Sequence, residues 1–441
     1  MDKKLDISAL TALVLSSMLG AGIFNLPQNM AEVASPAALL IGWSITGCGV
    51  ILLALVFLLL SRLKPNLEGG IFIYAQEGFG KFIGFCSAWG YWLCTVIANA
   101  SYLVIVCSAI GFFIDSPKHI IFGDGNTWQA MLSASLLLWL IHALVLQGIR
   151  TAASINFIAT LGKLIPLGLF ILLAAYAFQY PCFCLDFTGL SLGKSVWQQV
   201  KDSMLVTLWV FIGIEGAVVM SSRARHTQDI GRATIVAVLI TLAIYLLISL
   251  LSLGVIPRAE LATMHNPSMA GIMNYLIGPW GSIIIIACLI VSVCGAYLSW
   301  TIMAAEIPLM AVKNSACQIH RLQLEHNNNA QKFSLYLTDL SVQLCLIVIW
   351  ITNCNYNTLL TIASEMILIP YLLVGAYLFQ VTRELNKPII SFVSIGASAY
   401  GIWLLYASGP FNVLLSLLFY VPGMIIFLVT HQKQNKKWIN I

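Results

Sequence analysis

The chain has 441 residues, of which 60% are hydrophobic and 9% charged, and carries a formal net charge of +5. Soluble globular proteins run at about 45–50% apolar and about 25% charged, so a soluble enzyme and a disordered chain are excluded, and no polar stretch is long enough for a second domain. The apolar runs are continuous and do not alternate, which argues against an outer-membrane barrel, and the basic residues form short clusters with no stripe suited to nucleic acid.

A helix needs about 20 apolar residues to cross a bilayer, and length and punctuation predict twelve such segments. They are Ile7–Met30, Ala37–Leu60, Phe82–Phe113, Trp128–Leu146, Ala152–Phe178, Trp197–Met220, Ala233–Val255, Gly271–Met303, Leu335–Thr352, Thr358–Phe379, Ile389–Tyr406 and Val413–Thr430. The first follows two lysines and is too long for a signal peptide, so it is expected to be a permanent span. The third and eighth exceed a simple crossing and are expected to tilt or project. The expected fold is an all-α membrane protein in one transmembrane domain, residues 1–441.

The connections set the orientation, because cytoplasmic loops are enriched in Lys and Arg. With the N-terminus inside, Lys3, Lys4, Arg62, Lys64, Lys81, Arg150, Arg223, Arg225, Arg232, Lys313, Arg321, Lys332, Arg383, Lys387, Lys433, Lys436 and Lys437 fall on the cytoplasmic side. Only Lys118, Lys194 and Arg258 fall opposite, and Lys163 and Lys201 lie within spans. Both termini are therefore expected in the cytoplasm. Trp128, Trp197 and Trp280 stand near predicted helix ends, where an aromatic belt is expected.

Two spans carry breaks. The first reads SSMLGAGIFNLP around Gly20-Ala21-Gly22, and the sixth reads WVFIGIEGAVV, with Gly213 and Gly216 flanking Glu215. Glycine tolerates non-helical dihedrals, and irregular backbone at membrane depth survives only where it lines a cavity or is buried in protein. Small residues also serve plain helix packing. Breaks at the first and sixth spans, one bearing a carboxylate, instead fit a five-plus-five inverted repeat with a site between the halves. The repeats would run from about 7 to 178 and 197 to 380, with two extra helices over 389–430.

Free N–H groups and the positive end of a half-helix starting near Ile23 favour an anion. Carbonyls freed at Met18, Trp209 and Ile212 favour an ammonium. Together these read the two ends of an amino acid.

The sequence resembles the amino acid–polyamine–organocation superfamily, and most closely its basic amino acid/polyamine antiporters, such as arginine/agmatine and arginine/ornithine exchangers. The resemblance rests on Gly20 to Phe24, Glu68 to Tyr74, Tyr91-Trp92 through Asn99, and Trp209 to Gly216. It implies alternating access without ATP in a bacterial inner membrane, no cofactor or metal, and often a homodimer.

The resemblance also implies roles for single residues. The substrate carboxylate would meet the break at Gly20, Ala21 and Gly22. Ala21 departs from exchangers that carry a hydroxyl there, which leaves more of the anion to the backbone. Trp209 would flank the substrate, Trp300 would stack on its cationic group, and Asn99 would meet the distal end; a desolvated cation–π contact is worth about 2 kcal/mol. Ser364 would line the site, with Glu365 beside it or paired to another helix. Glu215, a carboxylate that costs about 2.5–3.5 kcal/mol at mid-membrane, would form an inner gate with Tyr91 and Tyr371, its protonation affecting transport. Lys163 would either take the place of a sodium ion or snorkel to the inner surface.

Other residues read as structural. His142 looks like a lone packed histidine, and Asp339 and Glu306 look close enough to the inner ends for water to reach them. Cys182 and Cys184 form an exposed pair without metal spacing. The run Gly189 to Ser195 falls one residue short of a phosphate loop and lacks the strand before it. No catalytic grouping is present. The expected function is exchange of arginine for agmatine or ornithine, the alternative being proton-coupled amino acid symport.

Overall fold

The computed structural model of the chain describes residues 6–67, 70–116, 118–147, 149–219, 224–313, 328–354 and 356–439. Glu68 and Gly69 of the matching motif, and Lys3, Lys4, Arg223 and Arg321 of the charge pattern, lie outside the described residues. The helices are α1 (Ile7–Met18), α2 (Gly22–Val33), α3 (Pro36–Leu63), α4 (Ile71–Phe79), α5 (Lys81–Ile114), α6 (Trp128–Gln147), α7 (Ile149–Tyr176), α8 (Tyr180–Cys184), α9 (Val196–Phe211), α10 (Gly216–Val219), α11 (Thr227–Val255), α12 (Arg258–Ala262), α13 (Ser268–Ile277), α14 (Pro279–Lys313), α15 (Asn328–Thr352), α16 (Tyr356–Glu384), α17 (Pro388–Ser408) and α18 (Pro410–Ile439). No strand forms among the described residues.

Ten spans among the described residues are long and apolar enough to cross a membrane, and α1 with α2, bent by 43° at their junction, makes an eleventh. Their starts follow local chemistry. Asp6 accepts from Ala9 N at 2.9 Å to cap α1, and Ser35 and Ser195 cap α3 and α9 in the same way. Such a cap satisfies one of the N–H groups left open at a helix start.

The predicted eighth segment needs correction. Its first seven residues belong to a separate short helix, α13, and Gly278, at φ 76°, turns the chain before Pro279 opens α14. A positive φ suits glycine, and proline suits the first helical turn. α14 then runs on to Lys313, so the apolar run held two helices.

Span six and α5 are mostly buried, whereas α6, α15, α17 and α18 carry exposed apolar faces that include Leu136, Leu344, Phe392 and Leu418. Exposed leucine and phenylalanine on helices of this length match a hydrocarbon surround. The interior is therefore built from α1 to α3, α5, α9 to α11, α14 and α16. Trp128, Trp197 and Trp280 are exposed at the starts of their helices.

The connection between α7 and α9 is fastened to the end of α2. Arg258 donates to Ala31 O at 3.0 Å, pairs with Asp186 at 3.2 Å and bonds the Ser191 hydroxyl. Desolvation pushes the Asp186 carboxyl up, but Ser191 and the Arg258 guanidinium hold it below the ordinary carboxylate value. Gln199 completes the attachment by donating to Thr188 O and Lys194 O while accepting from Ser35 N. The Gly189 to Ser195 run is thus a hydrogen-bonded turn, exposed except at Gly189 and Leu192. Cys182 and Cys184 are half-buried in α8, not exposed.

The close crossing of α3 and α11 depends on Gly231. A Cβ there would fall 2.4 Å from Leu58 Cα, a backbone atom that cannot rotate away. Gly→Ala inside a helix ordinarily stabilises by about 1 kcal/mol. Here overpacking reverses the sign, and Gly231→Ala is expected to cost about 1–3 kcal/mol. A lower thermal midpoint in detergent checks this; a midpoint equal to or above that of the parent protein would refute the close crossing.

Candidate functional site

The first break leaves the carbonyl end of α1 at membrane depth, where unsatisfied groups are costly. Side chains from three other helices satisfy it. Lys163 of α7 donates to Leu19 O at 2.9 Å and Ser16 O at 3.3 Å. Trp300 Nε1 of α14 donates to Ser17 O at 3.2 Å, and Ser292 to Leu19 O at 3.4 Å. Tyr245 of α11 donates to Met18 O at 2.6 Å, and Gly20 N reaches the same carbonyl at 2.8 Å. A cation at a helix C-terminus also complements the helix dipole. Lys163, 1% exposed, does not snorkel; its ammonium is the cap of α1.

The other side of the break faces the opposite way electrostatically. α2 starts at Gly22, one residue before the expected start. Its N-cap, Ala21, contributes no side-chain bond. Phe24 N bonds Ala21 O at 3.2 Å, while the N–H groups of Gly22 and Ile23 have no backbone acceptor among the described residues. Open N–H groups at the positive end of a helix favour an anion.

Span six is interrupted between Phe211 and Gly216. Gly213, at φ 111°, holds a conformation that suits glycine, and its carbonyl accepts from the Ser17 hydroxyl at 3.0 Å, which ties this break to the first. Gly213 N donates to Glu215 Oε2 at 3.2 Å, and the Tyr371 hydroxyl of α16 donates to the same oxygen at 2.5 Å. Glu215 is fully buried. Tyr91 sits beside this carboxylate, its hydroxyl outside good hydrogen-bond geometry. Of the three expected gate residues, two are bonded in this state. The second link between α16 and span six is Trp209 Nε1, which donates to Tyr356 Oη at 3.1 Å.

Between the breaks lies a cavity lined by Met18, Gly20, Gly22, Ala98, Tyr102, Trp209, Val210, Ile212 and Trp300. Its volume is about 10 Å³, room for about one water. Trp209 packs on Gly22, where a Cβ would meet its Nε1 at 3.0 Å; Tyr102 packs on Gly20 and meets Trp300 edge-on with centroids 6.5 Å apart. The aromatic side chains have closed over the place where the two backbones open.

Six of the predicted binding residues line this cavity: Met18, Gly20, Gly22, Trp209, Ile212 and Trp300. Ala21, Ile23, Asn99 and Ser364 do not. Asn99 and Ser364 are fully buried, and their side-chain polar atoms have no hydrogen-bond partner. The expectation of a free Met18 carbonyl is corrected: Tyr245 and Gly20 N occupy both of its lone pairs. The Trp209 carbonyl is also engaged, accepting from Ile212 N at 3.2 Å.

Ala98, Tyr102, Val210 and Tyr245 were missed. Tyr102 stands three residues after Asn99, and Tyr245 is a polar residue in the middle of the apolar run ITLAIYLLISLL.

Two bland readings also fail. His142 is not alone: its Nδ1 lies 2.6 Å from Asp339 Oδ2, and Asp339 is fully buried, so water does not reach it. Glu365 bonds Ser408 of α17, so of its two expected roles the helix pairing is the one observed.

The family model for amino acid permeases matches residues 5–440, and the chain belongs to that family, as a multi-pass membrane protein. Several relatives are similar over nearly their whole length. A protein named "Putative arginine/ornithine antiporter" from Escherichia coli (strain K12) is 62% identical, covering 99% of this chain and 94% of its own length. An arginine/ornithine antiporter from Pseudomonas aeruginosa is 44% identical over 96% of this chain and 90% of its own length. An arginine/agmatine antiporter from Chlamydia pneumoniae is 39% identical over 98% of this chain and 91% of its own length.

Because Lys163 caps α1, Lys163→Met removes the donor to Leu19 O and Ser16 O. Leu19 O keeps the Ser292 hydroxyl, so the cost expected is about 1–3 kcal/mol in all, read as a lower melting temperature in detergent. A melting temperature that does not move would show that the lysine is not what satisfies this helix end.

Proposed function

We propose that the chain is a secondary active antiporter, not an enzyme, that exchanges arginine for its product ornithine by alternating access, with agmatine as the other candidate counter-substrate. The observation that carries this reading is the meeting of two interrupted helices around an aromatic-lined cavity, with the open N–H groups of Gly22 and Ile23 at one edge. The relatives' names support the substrate: the one at 62% identity is named a putative arginine/ornithine antiporter and the one at 44% an arginine/ornithine antiporter, while one at 39% is named an arginine/agmatine antiporter.

In this reading the carboxylate meets Gly22 and Ile23, with Gly20 and Ala21 giving it close approach to the backbone. The α-ammonium meets the carbonyls of Met18 and of the sixth-span break near Trp209 and Ile212. Trp209 and Trp300 part to admit the side chain and flank its cation, and Asn99 and Ser364 hold its distal end with polar atoms that are otherwise unpartnered. Tyr91, Glu215 and Tyr371 form the inner gate, and Lys163 holds the first break in shape.

The twelve spans are α1 with α2, α3, α5, α6, α7, α9 with α10, α11, and α14 to α18. The two inverted repeats occupy about 7–178 and 197–380, and α17 and α18 stand outside them. The protein sits in a bacterial inner membrane with both termini cytoplasmic, as a homodimer whose subunits each hold a pathway.

Proteoliposomes preloaded with ornithine are expected to take up labelled arginine, while empty ones are not. Robust uptake into empty vesicles under a proton gradient would replace exchange with symport. Glu215→Gln keeps an oxygen to accept from Tyr371 but cannot titrate. Arginine binding is expected to survive in this variant while the pH dependence of exchange flattens; an unaltered pH profile would assign the proton-linked role to another group.

A further inference from the structure

We propose that Tyr245 is a specificity-determining residue of the site: its hydroxyl is a resident stand-in for the substrate's α-ammonium, and it sets how strongly that ammonium is preferred. This rests on the reading that the substrate is an α-amino acid with its amino group at the two breaks.

Tyr245 is fully buried on α11. Its hydroxyl lies 2.6 Å from Met18 O and 2.8 Å from Val210 O. Both carbonyls belong to residues that line the cavity, one from each interrupted helix. A phenol has one proton, so it shares a single donor between two acceptors, each near the carbonyl end of a helix where positive charge is favoured. The ring that carries it is fixed. Phe211 packs against it edge-on at 5.3 Å between centroids, and Trp43 lies 6.3 Å away on centroids.

An ammonium offers three donors and a full charge. Met18 O already accepts from Gly20 N and from Tyr245, so an arriving ammonium must displace one of them. The Gly20 bond belongs to the break itself. The Tyr245 bond is the one that gives way, because its hydroxyl keeps Val210 O as an acceptor after leaving Met18. Binding therefore exchanges a neutral donor for a charged one at the same oxygen. The residue thereby lowers the affinity for any ligand with an α-ammonium, while keeping both carbonyls satisfied when the site is empty.

The test compares two ligands on the full-length protein in detergent, by competition against labelled arginine: arginine itself, and its analogue with a hydroxyl in place of the α-amino group. Tyr245→Phe is expected to raise the preference for arginine over the analogue by about fivefold, near the worth of one net hydrogen bond. Replacing Tyr245 with a ring-fluorinated tyrosine gives a near-isosteric, stronger donor and is expected to lower that preference. A loss of packing would change both affinities together and leave their ratio fixed. A ratio unmoved in both variants would overturn the role of Tyr245 while leaving the substrate placement intact. Equal affinities for the two ligands in the unaltered protein would overturn the placement of the ammonium itself, and the role of Tyr245 with it.

Discussion

The structure depends on one constraint: a helix that stops inside a membrane must have its last carbonyls satisfied by the protein, because lipid supplies no donors. The end of α1 meets this constraint with an ammonium, an indole, a serine and a phenol, contributed by α7, α14 and α11. These donors fix where the break lies and join it to helices far away in the chain. The open N–H groups at the start of α2 have no such partners. The two sides of the break thus differ: the carbonyls are capped by side chains of other helices, and the amides of Gly22 and Ile23 have no such cap among the described residues.

The cavity is closed by the groups expected to bind. Trp209 and Trp300 line the space between the breaks and donate to Tyr356 Oη and Ser17 O. Asn99 and Ser364 stay buried without partners, which is costly for polar groups. Such groups in a native interior call for a ligand or ordered water.

Much of the architecture was legible because its signals are local. Apolar run length gave the spans, and Gly20-Ala21-Gly22 and Gly213 marked the breaks, since a non-helical dihedral needs a particular residue at a particular place. The single run across Gly271–Met303 misled because a sharp turn at Gly278 leaves no trace in hydrophobicity. The partnerships were illegible for a different reason. Lys163 meets a carbonyl 144 positions earlier, His142 meets Asp339 197 positions later, and Glu365 meets Ser408 on another helix. Backbone acceptors have no residue-type signature, so Tyr245 read as one more tyrosine. Six of the expected binding residues line the cavity, five of them at or beside the two breaks and the sixth, Trp300, on α14; Asn99 and Ser364 depend on how neighbouring helices are rotated, which spacing alone does not specify.

Helix α16 carries both of its bonds to span six: Tyr356 to the indole of Trp209 and, fifteen residues on, Tyr371 to Glu215, about 22 Å apart along a helix axis. Pro370 stands beside the second. Proline cannot donate to the carbonyl four residues back, and that carbonyl, of Met366, is instead held by the Tyr420 hydroxyl of α18 at 3.0 Å. The rod thus has two bolts with a knuckle next to one of them, and a brace from a peripheral helix steadies the knuckle. One bolt can be drawn while the other stays home, so the two links of α16 to span six are mechanically separable though a single helix carries both.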